Sequence, residues 1–190
     1  MAAVLRQLAA RRYSQIDNAL SEVRPGIFVG SIGAVQNIQG RERAGITHVL
    51  SLLSRDSADN LGFLGATEVP SHHLLLSIDD KPGTDLVALL PEALDFVLRG
   101  QAVGGVLVHC FQGKSRSVAV VMAYLMITEG IDHLEALEQI RLVRPVAAPN
   151  LGFILQLRRW GRRGKEELTL ARASPSLSGG GGGGGGERRK

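Results

Sequence analysis

One stretch constrains the fold of this chain more than any other. Val106 to Ser117 reads Val-Leu-Val-His-Cys-Phe-Gln-Gly-Lys-Ser-Arg-Ser and runs straight into the apolar segment Val118 to Met126. The apolar residues Val106 to Val108 suit a buried strand, and the later run is long enough for a buried helix. Residues 109–117 are then a strand-to-helix turn. The first turn of a helix has backbone N–H groups without partners and the positive end of the helix dipole, so it is a ready anion site.

The side chains of that turn suit a phosphoryl group. A thiol is a weak nucleophile until ionised, and a helix N-terminus and a fixed cation both favour its thiolate, so Cys110 is placed to be reactive. Arg116 offers a planar fork of donors that matches two phosphoryl oxygens. Gly113 lets backbone pass close to an anion. Ser117 offers a hydroxyl where a departing thiolate would need a hydrogen bond. A lone cysteine is more often a small buried hydrophobe. What separates the two readings is the joint spacing, His-Cys, five residues, then Arg-Ser, between an apolar strand and an apolar helix.

His109 to Ser117 resembles the active-site signature of the cysteine-dependent protein phosphatases. The Gly-x-Ser-Arg-Ser ending, followed by Ala123-Tyr-Leu-Met126, resembles the dual-specificity branch, and the joint occurrence of Phe111-x-Gly-Lys-Ser-Arg-Ser-Val118 and Arg144-Pro-Val-Ala-x-Pro-Asn150 resembles its small plant members. The resemblance runs from about Pro25 to Leu157. It implies that Cys110 attacks phosphorus while Arg116 and the backbone amides of Phe111, Gln112, Gly113, Lys114, Ser115 and Arg116 hold the oxygens. Ser117 then stabilises the leaving thiolate, and His109 orients the loop rather than acting as a base. It implies no cofactor and no metal. The implied substrates are phosphotyrosine and phosphoserine or phosphothreonine in proteins such as mitogen-activated protein kinases. A lipid phosphatase is the rival, because Lys114 adds a cation to the loop, but Phe111 stands where phosphoinositide phosphatases have a second lysine. An inactive phosphate-binding scaffold is disfavoured by the joint presence of Cys110, Arg116 and Asp80.

Composition narrows the remaining classes. The single cysteine excludes an intramolecular disulfide and fits a reducing compartment, cytoplasmic or nuclear. No apolar run approaches the roughly 20 residues of a membrane span. The net charge of +4 belongs to the ends: residues 158–190 hold nine basic and three acidic residues and 1–16 hold three arginines, whereas 17–157 hold ten basic and fifteen acidic. A nucleic-acid-binding body would carry the basic charge itself, so that class is set aside.

The rest of the chain reads as strands alternating with helices. A turn at Pro25-Gly26 leads to a strand at Ile27 to Val29. Arg41 to Ala44 looks helical with Gly45 as its stop, Thr47 to Leu53 and His72 to Ile78 read as strands, and Ser54 to Pro70 as a loop. His48 is taken as structural. His72 and His73, adjacent on a strand, point to opposite faces and make a poor metal pair. Leu86 to Arg99 carries apolar residues at helical spacing, and Asp132 is placed to cap a helix over His133 to Val143.

Asp79 to Asp85 lies at a strand end in a Pro-Gly loop suited to carry a general acid. The family likeness selects Asp80, with Asp79 as the alternative. Arg144 to Leu157 reads as a rigid turn into a last helix and resembles the family's Arg-Pro…Pro-Asn-x-Gly-Phe-x-x-Gln-Leu segment. There Asn150 either supports the loop or only caps the helix.

The expected organisation is a basic helical extension over 1–22, a catalytic domain over 23–163, and a glycine-rich basic tail over 164–190 that includes eight consecutive glycines. The extension has three readings: a packed terminus, a calmodulin-binding amphipathic helix, or an organelle presequence. The fold expected is α/β, a single domain of the protein tyrosine phosphatase type, with a central, largely parallel sheet flanked by helices and a phosphate-binding loop between strand and helix.

Overall fold

The computed structural model describes residues 17–54 and 72–161. Residues 1–16 of the N-terminal extension, on which its calmodulin and presequence readings rest, most of the loop read over Ser54 to Pro70, and the glycine-rich tail lie outside them. Residues 17–22 belong to the folded body, where Ser21 opens the first strand.

Five strands form one sheet in the order β1-β2-β5-β3-β4, with β1 at Ser21–Arg24, β2 at Ile27–Gly30, β3 at Ile46–Leu53, β4 at His72–Ser77 and β5 at Gly105–Cys110. β2, β5, β3 and β4 are parallel, and β1 pairs antiparallel with β2. Parallel neighbours need crossover connections, and helices supply those from β2 to β3 and from β4 to β5. They are α1 at Ile32–Gln36, α2 at Ile38–Arg43, α3 at Leu90–Gln101, α4 at Arg116–Thr128, α5 at His133–Val143 and α6 at Leu151–Trp160.

β5 is central and buried along its whole length. Its period of two decides the site. Val106, Val108 and Cys110 face the larger core, shared with α3 to α6, while Leu107 faces the smaller core under α1 and α2. α4 is buried from Arg116 to Met126. A helix with no polar face is stable only inside, where each fully buried large apolar side chain contributes roughly 1.5–3 kcal/mol. No single helix among the described residues is long and apolar enough to cross a membrane.

Several local expectations need adjustment. α3 begins at Leu90, after a 3₁₀ turn at Val87–Leu89, rather than at Leu86. Pro91 explains the delay, since a ring without an N–H is tolerated only in a helix's first turn. β1 and α1 were not legible beforehand. β1 reads Ser-Glu-Val-Arg, with one apolar residue, and is recruited by the hairpin at Pro25-Gly26, where Gly26 has φ 78°. α2 spans Ile38–Arg43, earlier than Arg41 to Ala44, because Asn37 caps it through Gly40 N; Gly45, φ 64°, follows it. Asp132 caps α5 by accepting from Leu134 N and Glu135 N.

Candidate active site

The loop between β5 and α4 is shaped by where its carbonyls go. Phe111 O accepts from Ile32 N, Gln112 O and Gly113 O accept from the Arg144 guanidinium, and Lys114 O accepts from Ala148 N. Four consecutive carbonyls are thus held by partners outside the loop. Across a trans peptide the next N–H points the opposite way, so the amides of Gln112 to Ser115 turn inward. Gly113 N, 3.2 Å from Cys110 Sγ, is the contact that shows it. Gly113 has φ 65°, and a Cβ there would overlap Gly30 O and the Arg144 guanidinium, so only glycine fits.

The thiol sits at the centre, 1% exposed. Burial pushes its pKa up. The Arg116 charge, the Ser117 hydroxyl 3.3 Å from Sγ and the Gly113 amide outweigh burial and hold it below the ordinary thiol value. Arg116 is itself buried, with Nη1 donating to Ile78 O at 3.3 Å. Its Nε lies 3.8 Å from Asp80 Oδ2 and has no hydrogen-bond acceptor among the described residues. A buried guanidinium N–H without an acceptor is costly, and a phosphoryl oxygen in the loop would supply one.

Ser115 stands at the N-cap of α4, yet its hydroxyl does not cap the helix. It donates to Asp80 Oδ1 at 2.6 Å and accepts from Asn150 N at 3.0 Å. The first-turn amides are thereby left to an anion rather than filled by a side chain. Ser115 therefore serves as a strut as well as contributing a loop amide.

Asp80 and Asp79 separate cleanly. Asp80 Oδ1 also accepts from Asn150 Nδ2 at 2.8 Å, which places the carboxylate over the loop. Asp79 pairs with Lys81 at 2.7 Å on the surface, and that hydrogen bond holds its pKa below the usual carboxylate range. The two readings of Asn150 are not exclusive. Its Oδ1 caps α6 through Phe153 N while Nδ2 reaches Asp80.

His109 lies on the opposite face of β5. Its Nδ1 is 3.3 Å from Cys110 O, which can only accept, so Nε2 accepts from Ser51 Oγ at 2.5 Å, and Ser51 in turn accepts from His73 Nε2 at 2.7 Å. Burial pushes the His109 pKa down to about 3, so the ring is neutral. The ring thus bridges the Cys110 carbonyl and the Ser51 hydroxyl. His48 is structural, bonded to Thr47 and stacked on His72.

A stability prediction follows from that burial. Between pH 6.5 and about 3 the unfolded chain binds a proton at His109 that the folded chain does not, so this group lowers stability progressively as pH falls through that window. His109→Gln should flatten the fall of the urea midpoint with decreasing pH relative to wild type. Parallel curves would mean that the folded ring is charged.

Sequence reasoning missed Arg144, which is 3% exposed. It holds the Gln112 and Gly113 carbonyls while Asp17 accepts from both Nη atoms at 3.3 and 3.1 Å and Ser21 Oγ is 3.3 Å from Nη1. An arginine before proline is ordinarily a solvated turn residue. The loop carbonyls and Ser21 satisfy its donors, and Asp17, far off in sequence, supplies the counter-charge that its burial needs.

A domain with a largely parallel sheet and a low-pKa cysteine inside a ring of amides defines an enzyme of the protein tyrosine phosphatase type. Residues 27–163 match the family profile "Dual specificity phosphatase, catalytic domain". Dual specificity protein phosphatase 1 of Arabidopsis thaliana is 35% identical over 161 residues, covering 82% of this chain and 75% of that protein. Dual specificity protein phosphatase 1B of the same plant is 37% identical over 145 residues, covering 74% and 81%. Among solved structures, DUSP15 superposes with a TM-score of 0.71 at 27% identity, covering 82% of this chain and 95% of that one. The chain belongs to the dual specificity phosphatase family and is a protein tyrosine, serine and threonine phosphatase.

Proposed function

We propose that the chain hydrolyses phosphoproteins in two steps through a phosphocysteine at Cys110. The observation that carries this reading is the convergence on Cys110 Sγ of the Gly113 N–H, the Ser117 O–H and the Arg116 charge, which together outweigh the burial of the thiol. The thiolate attacks phosphorus in line, and the P–O bond to the leaving group breaks as Asp80 gives its proton to the departing oxygen. Arg116 and the inward amides hold the equatorial oxygens, whose charge they match better as the transition state forms. Asp80, now a carboxylate, takes a proton from water as that water attacks phosphorus. The P–S bond breaks, and Ser117 donates a hydrogen bond to the departing thiolate.

The substrates proposed are phosphotyrosine and phosphothreonine side chains of signalling proteins, with the activation segment of mitogen-activated protein kinases as the first candidate. The likeness to the plant dual specificity phosphatases supports both classes of phosphorylated side chain. Phosphothreonine matters for the mechanism, because an alkoxide needs the proton from Asp80 far more than a phenoxide does.

Ser117→Ala tests the second step. It should leave formation of the intermediate nearly intact and slow its breakdown, so that a ³²P-labelled phosphopeptide, quenched in denaturant, leaves more label on the protein than in wild type. A quenched Ser117→Ala protein carrying no label would remove the covalent intermediate from the mechanism.

A further inference from the structure

The loop that carries Asp80 is held at three points by one helix. At the N-terminus of α6, Asn150 Nδ2 donates to Asp80 Oδ1 at 2.8 Å. Two residues on, Gly152 lies against the backbone of Pro82, so closely that a Cβ on Gly152 would overlap the Pro82 carbonyl oxygen, Cα and carbonyl carbon. One turn further, Gln156 Oε1 accepts from Leu86 N at 2.9 Å and Gln156 Nε2 donates to Thr84 O at 2.8 Å. Gly152 does not have the positive φ that calls for glycine. Its lack of a side chain is needed for close approach to the loop.

We infer that Gly152 and Gln156 are positioning residues for the general acid: α6 is the seat on which residues 80–86 rest, and the seat sets the distance from the Asp80 carboxyl to the leaving oxygen. This rests on the reading of Asp80 as the acid. Loop backbone on its own has many conformations, and within residues 81–85 only one turn bond, Thr84 N to Lys81 O at 3.0 Å, and the half-buried Thr84 restrain it, since Lys81, Pro82, Gly83 and Asp85 are all exposed. The first buried anchor is Leu86, 0% exposed, whose N–H is the one that Gln156 holds. The two ends of the loop are therefore tied to the same helix, and the Gly152–Pro82 contact sets how low the middle can settle. Proton transfer falls steeply with misplacement, and about 1 Å can cost up to about a hundredfold.

The experiment measures kcat of Gly152→Ala and Gln156→Met on a phosphothreonine peptide and on an aryl phosphate with an activated leaving group. Each is also combined with Asp80→Asn, and iodoacetate alkylation of Cys110 is followed in each variant. Gln156→Met keeps the side-chain volume and adds no overlap, so it serves if Gly152→Ala folds poorly. The expected result is a loss of about tenfold or more on the peptide, little loss on the aryl phosphate and an unchanged alkylation rate. In the Asp80→Asn background the seat substitutions should cost almost nothing further, because the group they position is gone. Equal losses on both substrates, or losses undiminished in that background, would show a merely structural role and overturn the inference. If Asp80→Asn is leaving-group dependent and neither seat variant is, the seat alone is wrong. If Asp80→Asn shows no leaving-group dependence, the acid assignment falls and takes the seat with it.

Discussion

Cys110→Ser should abolish turnover, to below about a hundredth of the wild-type kcat on any phosphate ester, while phosphate or vanadate still binds. A serine hydroxyl at this position would meet the same Gly113 amide and Arg116 charge, but its intrinsic acidity is too low for them to ionise it. The amides turned inward by the outward carbonyls do not depend on sulfur, so the anion site should survive. Isothermal titration with phosphate, set beside steady-state rates, separates the two properties. Substantial residual turnover would mean that the nucleophile is water or another side chain. Loss of binding together with turnover would mean that the loop is held open by the thiolate itself.

The second large effect concerns proton supply to the leaving group. Asp80→Asn should lower kcat by roughly a hundredfold on phosphothreonine, in line with the usual size of general acid catalysis, and much less on an activated aryl phosphate. Asp79→Asn should stay near wild type on both, because Asp79 is turned to Lys81 at the surface while Asp80 is tied to Ser115 and Asn150 over the loop. The asparagine keeps the shape and an acceptor oxygen, so a loss confined to poor leaving groups reports the missing proton. A crippled Asp79→Asn beside a healthy Asp80→Asn would move the acid by one residue.

The sequence by itself determined what depends on neighbours along the chain. The apolar strand, the loop from His109 to Ser117 and the fully apolar helix were legible because period-two and period-3.6 patterns and turn chemistry act within a few residues. The same holds for the Asp132 cap and for the α/β class. Weakly patterned pieces were not legible: β1, with one apolar residue, exists because β2 lies beside it, and α3 starts late because Pro91 forbids an earlier turn.

Only the tertiary structure decided which residues meet. Ser115 and Asp80 are 35 residues apart, Asn150 and Asp80 are 70, and Arg144 and Asp17 are 127. No local signal distinguishes a serine that caps its helix from one that braces a distant carboxylate, or an exposed arginine from one buried among loop carbonyls. The two uses of Ser115 are chemically alike until a partner is present. Folding chooses between them because a buried hydroxyl, carbonyl or guanidinium must be satisfied by whatever the sheet order brings within about 3 Å.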